Sequence, residues 1–142
     1  MTTAFTSVQT AAVASAVLIS GTAAFQAALA LGLPLGEAVF GGAAPSEQGV
    51  LSGPFRALAA AQAVLLLMMS WVMMARTDVL PIPFLGGGVI VWGTWTMVAL
   101  LALNTVANLA APHPVERWVM GSITFALTGL GFAIALRAPV PA

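Results

Sequence analysis

Asn104 and Asn108, the only two asparagines in 142 residues, stand four positions apart and so share one face of a helix. Close behind them come His113, the only histidine, and the adjacent pair Glu116-Arg117. The stretch NTVANLAAPHPVER (104–117) thus gathers amide, imidazole, carboxylate and guanidinium groups. Such groups can hold a polar ligand by hydrogen bonds. A carboxylate could serve as a general base beside an arginine that grips a phosphate or carboxylate. The chain has only eight charged side chains in all, four basic and four acidic, so their clustering is the first thing to account for.

Several chemistries are excluded by composition. There is no cysteine, hence no disulfide, thiolate metal site or cysteine nucleophile. A lone imidazole cannot make a bis-histidine haem, and a metal site at His113 would need Glu37 or Glu116 to help. His113 is therefore expected to be a loop or cap residue, and no metal or other cofactor is expected. The Met68-Met69 and Met73-Met74 pairs lack the histidines or cysteines of a copper site, and read as adaptable apolar filling. Net charge is zero and no basic run exists, which gives nucleic-acid binding no support.

The elements that must position these groups follow from hydropathy. The chain is 61% hydrophobic and 6% charged, with a mean hydropathy of +1.05, whereas soluble domains are about 25% charged. The bilayer is therefore its expected solvent. Arg56 and Arg76 bracket nineteen uncharged residues, and Arg117 and Arg137 bracket nineteen more. At 1.5 Å per residue each window spans roughly 28 Å, close to the hydrocarbon thickness. Each arginine is expected to snorkel to an interface. The reading is an all-α, integral membrane four-helix bundle of two hairpins, one domain over 1–142. Its helices are placed at about 9–33, 54–76, 84–111 and 114–137. Pro81 and Pro83 keep the third from starting earlier. Pro114 and Glu116 suit the first turn of the fourth. A faint cleavage-like AALA at 27–30 is read as part of a retained first helix.

Four spans place both termini on one side. Arg76 and Arg137 fall there, and Arg56 and Arg117 opposite. This two-two tie is tipped slightly toward termini inside by the amino terminus, and it permits dual topology. Trp71, Trp92 and Trp95 on one side and Trp118 on the other read as an aromatic belt. Small residues in the first helix, with Gly121, Gly129 and Gly131 in the fourth, would let backbones approach closely. The 32–53 connection holds six glycines and two prolines among apolar residues, and reads as an ordered cap on the bundle mouth.

That mouth, opposite the termini, collects Glu37, Arg56, Gln62, Asn104, Asn108, His113, Glu116 and Arg117. Two readings stand. One is a structural clasp of interhelical hydrogen bonds and ion pairs. The other is a polar pocket beneath the glycine-rich loop, holding a lipid head group or small polar molecule.

The segments GLPLGEAVFGG and GVL, then Arg56, MMAR, NTVAN and VERWVM, resemble a group of small bacterial four-span membrane proteins with no characterised activity. The resemblance runs from about Leu31 to Leu136. It departs at Ser52, where the group favours proline, and at APHP. It implies a bacterial cytoplasmic membrane and puts Glu37, Arg56, Asn108, Glu116 and Arg117 on the shared pattern.

Three functions are weighed. The first is a non-catalytic membrane subunit packing with itself or a larger membrane complex, with membrane lipids as further partners. The second is a small oligomeric channel or transporter with Gln62, Asn104 and Asn108 on its path. Proton coupling is disfavoured, because the first helix offers only Gln26 where exporters of this size carry a carboxylate. The third is an enzyme or lipid-binding protein using the mouth, though no nucleophile motif or metal triad defines a reaction.

Overall fold

Four helices long and apolar enough to cross a membrane make up most of the chain, which is an integral membrane protein. The computed structural model describes residues 6–139. The helices are α1 (Ser7–Leu31), α2 (Gly53–Arg76), α3 (Gly87–Ala110) and α4 (Gly121–Arg137), the last preceded by π-helical turns over Val115–Met120. Each packs on its chain neighbour, and α1 closes the ring against α4. The two hairpin seams, α1–α2 and α3–α4, are the most extensive, and α2–α3 is the thinnest.

The ends of α1 differ slightly from the expected 9–33. Thr6 and Gln9 form a reciprocal capping box, which starts the helix at Ser7. Gly32 then adopts a left-handed φ of 107° and stops it at Leu31. The start of α3 moves from 84 to Gly87, because Gly86 is its N-cap, in extended conformation.

Small and flexible side chains fill the bundle. Ala12, Ile19 and Ala23 of α1 meet Leu66, Met69 and Met73 of α2, with Leu101, Leu127 and Ile134 from the second hairpin. Two of the three α4-segment glycines sit at close contacts. A Cβ on Gly131 would lie 3.1 Å from Met73 Cε, and one on Gly121 would lie 2.7 Å from Leu109 Cδ2. Gly129 faces open space. Trp92 and Trp118 project outward, and Trp95 stacks edge-on against Phe132.

The loop at 32–52 is ordered, as its apolar residues imply. Ser46–Glu47 and Val50–Leu51 pair antiparallel around Gln48-Gly49, which has φ of 50° and 81°. Two successive positive φ values are the hallmark of the tight type I′ hairpin turn. Val39, Ala44 and Leu51 are buried against Leu29 and Ala59, so the loop is a cap with its own small core. Gly36 donates its N–H to the Gly49 carbonyl at 2.7 Å and locks the hairpin down.

Arg76 does not snorkel. It is buried at 4% exposure and donates to the carbonyls of Ala138, at 2.7 Å, and Pro139. These carbonyls sit just past the end of α4, where helix termini leave acceptors unsatisfied.

A methyl at Gly36 would meet the Gly49 carbonyl oxygen and Leu51 Cδ2, both at 2.8 Å, while one at Gly21 meets nothing within 4 Å. Gly36→Ala should therefore lower unfolding free energy in detergent by about 1–3 kcal/mol. Gly21→Ala should raise it by about 0.5–1 kcal/mol. Equal effects of the two substitutions in a denaturant titration would refute the cap's packing.

Candidate functional site

Glu116 sets the geometry of the mouth. It lies in the π-helical turns that open the fourth span, and its side chain is buried at 9% exposure. Pro114, two residues before it, has helical dihedrals but lacks an N–H, and the widened turns follow. Expected to serve the N-terminus of its own helix, the Glu116 carboxylate instead crosses to the cap. Both oxygens accept from the Gly41 N–H, at 2.9 and 3.1 Å. Gly41 presents that N–H from a left-handed turn in which Phe40, Gly41 and Gly42 have φ of 55°, 69° and 71°. A bulky residue such as Phe40 rarely adopts this region, at a cost of about 1–3 kcal/mol. Phe40 is held there by edge-on packing on Phe55, with ring centroids 5.4 Å apart.

Beneath Phe40 and Gly41 lies a cavity of about 370 Å³. α1 contributes Thr22 and Gln26, one turn apart, and α2 contributes Gln62. α3 contributes Asn104 and Asn108, and the fourth span contributes Glu116 and Thr124. Ala107, Ala110, Ala111 and Met120 complete the wall with apolar surface. The lining holds one carboxylate and no arginine.

The expected mouth residues divide. Gln62, Asn104, Asn108 and Glu116 meet at this cavity. Asn108 is buried and donates to Thr124 Oγ1 at 3.4 Å, and Thr105 and Thr128 hydroxyls meet nearby at 3.2 Å, so part of the clasp exists between α3 and α4. Asn104, one turn away, is exposed and lines the cavity. Arg56 goes elsewhere: its Nε donates to the Ala30 carbonyl at 2.8 Å, in the last turn of α1. Glu37 is exposed and shares a second depression, about 380 Å³, with His113. His113 is a cap residue, its Nδ1 accepting from the Val115 N–H at 3.3 Å. Arg117 is half-buried, with its Nε enclosed and unpartnered, and does not line the cavity. Among the described residues, Glu116 and Arg56 bond to backbone groups in place of the anticipated Glu–Arg ion pairs.

Gln26 is the residue that sequence reasoning passed over. It is buried at 7% exposure, and its Oε1 has no hydrogen-bond partner. It shares that state with Arg117 Nε alone among the described residues, and the hydroxyls of the spans behave otherwise. The hydroxyls of Ser15, Thr22, Thr94, Thr105, Thr124 and Thr128 all bond back to the carbonyl four residues earlier in their own helices. The available signal was its place four residues after Thr22 as the one amide in the interior of the first span.

No protein-family model, curated protein or solved structure matches this chain.

Among the described residues, Gly41 N–H is the one hydrogen-bond donor to the Glu116 carboxylate. Hydrogen bonds to a charged group contribute about 1.5–3 kcal/mol. Glu116→Ala should therefore raise amide exchange across the 36–42 turns roughly tenfold or more, with exchange in the interior of α2 unchanged. Unchanged protection of those turns would show that the cap does not depend on Glu116.

Proposed function

We propose that this protein is a non-catalytic membrane protein that binds a small polar molecule or lipid head group in the cavity beneath its cap. The observation that carries the reading is Gln26 Oε1, an acceptor enclosed on the cavity wall with nothing to accept from. A buried unsatisfied amide costs about 1–3 kcal/mol, which the fold tolerates without structural return. A ligand supplying a donor would recover that energy. The thin α2–α3 seam supports access from the side: Gln62 is half-buried and Asn104 exposed on the two helices that flank it. No nucleophile is poised at the cavity, so binding rather than catalysis is the reading.

Assembly is the second reading, favoured by one surface. Thr10, Ala14, Gly21 and Ala24 are exposed along one row of α1, with Val17 projecting between them, and a Cβ on Gly21 would meet nothing within 4 Å. Small residues in such a row suit close helix association in lipid, with a second copy or a larger membrane complex. On the resemblance we propose a bacterial cytoplasmic membrane, with the termini inside because the amino terminus tips the two-two arginine tie.

The clasp and the binding site make opposite forecasts for Gln26→Leu. Because Oε1 makes no bond in the fold, leucine there should leave the melting temperature in detergent unchanged or raised. Native mass spectrometry of the protein extracted from membranes should show a bound polar species that falls at least about fivefold in the variant. Unfolding of Gln26→Leu, or an identical bound species in both proteins, would defeat the binding reading.

A further inference from the structure

The hydrogen-bonding inventory of the cavity narrows its ligand, and this inference rests on the binding reading above. Some donors on the wall are engaged, while the amide nitrogen of Gln26 has no acceptor among the described residues. The Gly41 N–H is held by Glu116, and Asn108 Nδ2 donates to Thr124. The hydroxyls of Thr22 and Thr124 donate to the carbonyls of Leu18, at 3.0 Å, and Met120, at 2.9 Å. Acceptors remain: Gln26 Oε1 is unpartnered, and a carboxylate has room for about four hydrogen bonds where Glu116 receives one N–H. Gln62 and Asn104 keep both kinds of group. The wall also carries one formal negative charge with no cation facing it, since Arg56 is directed to the Ala30 carbonyl and Arg117 does not line the cavity.

A buried carboxylate without a counter-charge is stabilised by a cation that donates hydrogen bonds. Anions lack both the charge and the donors. Quaternary ammonium groups carry charge but no N–H. They are bound in aromatic cages, whereas Phe40 is the single aromatic on this wall. We propose that the cavity binds a primary ammonium group, which would bridge Glu116 and Gln26 and use the acceptors that the protein leaves open. Its charge and three N–H donors match the unpaired Glu116 carboxylate and the open Gln26 Oε1, and a volume of about 370 Å³ admits such a group with a short substituent. The same chemistry is offered by an aminoethyl lipid head group and by a free small amine.

The test is thermal stabilisation and calorimetric binding with the full-length protein in a zwitterionic, amine-free detergent. The probes are ethylammonium, tetramethylammonium and acetamide, compared at equal ionic strength. Ethylammonium alone should bind the wild type. Glu116→Gln, which keeps an oxygen for Gly41 but removes the charge and turns the other oxygen into an N–H donor, should weaken it about tenfold or more. Gln26→Leu should weaken it while remaining folded. Nanodiscs with and without an aminoethyl-headgroup lipid separate the two sources. Competition by that lipid against ethylammonium identifies the head group, and equal binding in both discs identifies a free amine. Ethylammonium binding equally to wild type and Glu116→Gln overturns the proposal. If acetamide or tetramethylammonium binds in a Gln26-dependent way and ethylammonium does not, the ammonium assignment fails while the binding site stands. If no probe binds and no polar species copurifies, both fail.

Discussion

Hydrocarbon supplies no hydrogen bonds, so each polar group carried into the bilayer must find its partner within the protein. Most features of this chain follow from that constraint. The span hydroxyls return to their own helix backbones, which makes serine and threonine nearly cost-free lining for close helix contacts. Arginines go to helix-terminal carbonyls: Arg56 serves the end of α1, and Arg76 the end of α4. Each places positive charge at the negative end of a neighbouring helix dipole. Two arginines thus tie the helices of a chain with very few charges.

The two ends of the bundle apply this constraint differently. At the terminus side Arg76 is buried and bonded to two carbonyls, and Gln9 Nε2 reaches the Thr77 carbonyl at 3.4 Å, so that end is closed by side chains bonded to backbone. The capped end contains the departures. Phe40 holds a strained dihedral, Glu116 sits in a widened helical turn, and Gln26 Oε1 has no partner. All three border one cavity. Strain, irregular helix and unmet polarity thus coincide at one place, the cavity proposed above as the binding site.

Much of this was legible in the sequence, and what was not has a physical reason. The arginine brackets located α2 and α4 because charge is confined to interfaces or partners in a span. The four-residue spacing placed Asn104 and Asn108 on one face, and both line the cavity. The glycines and apolar residues of 32–53 foretold an ordered cap. The contact from Gly41 to Glu116 was beyond reach, since it joins residues 75 apart through a tertiary fold. Arg76 was misjudged because a local rule, snorkelling, lost to acceptors that α4 carries to it. Gln26 was weighed only as the absence of a carboxylate. Its meaning depends on having no partner, which only three-dimensional neighbours reveal.

The central claim is that a membrane-embedded wall of α3 faces a polar cavity rather than lipid. Because the natural chain has no cysteine, single substitutions report cleanly on it. Asn104 lines the cavity, whereas Leu103 and Val106 lie on the outward surface, each 68% exposed. Cysteine at 104 should react in native membranes with a charged, water-soluble thiol reagent, and cysteine at 103 or 106 should not, because a thiolate does not form in hydrocarbon. Equal reactivity at all three positions, or none at 104, would contradict the account.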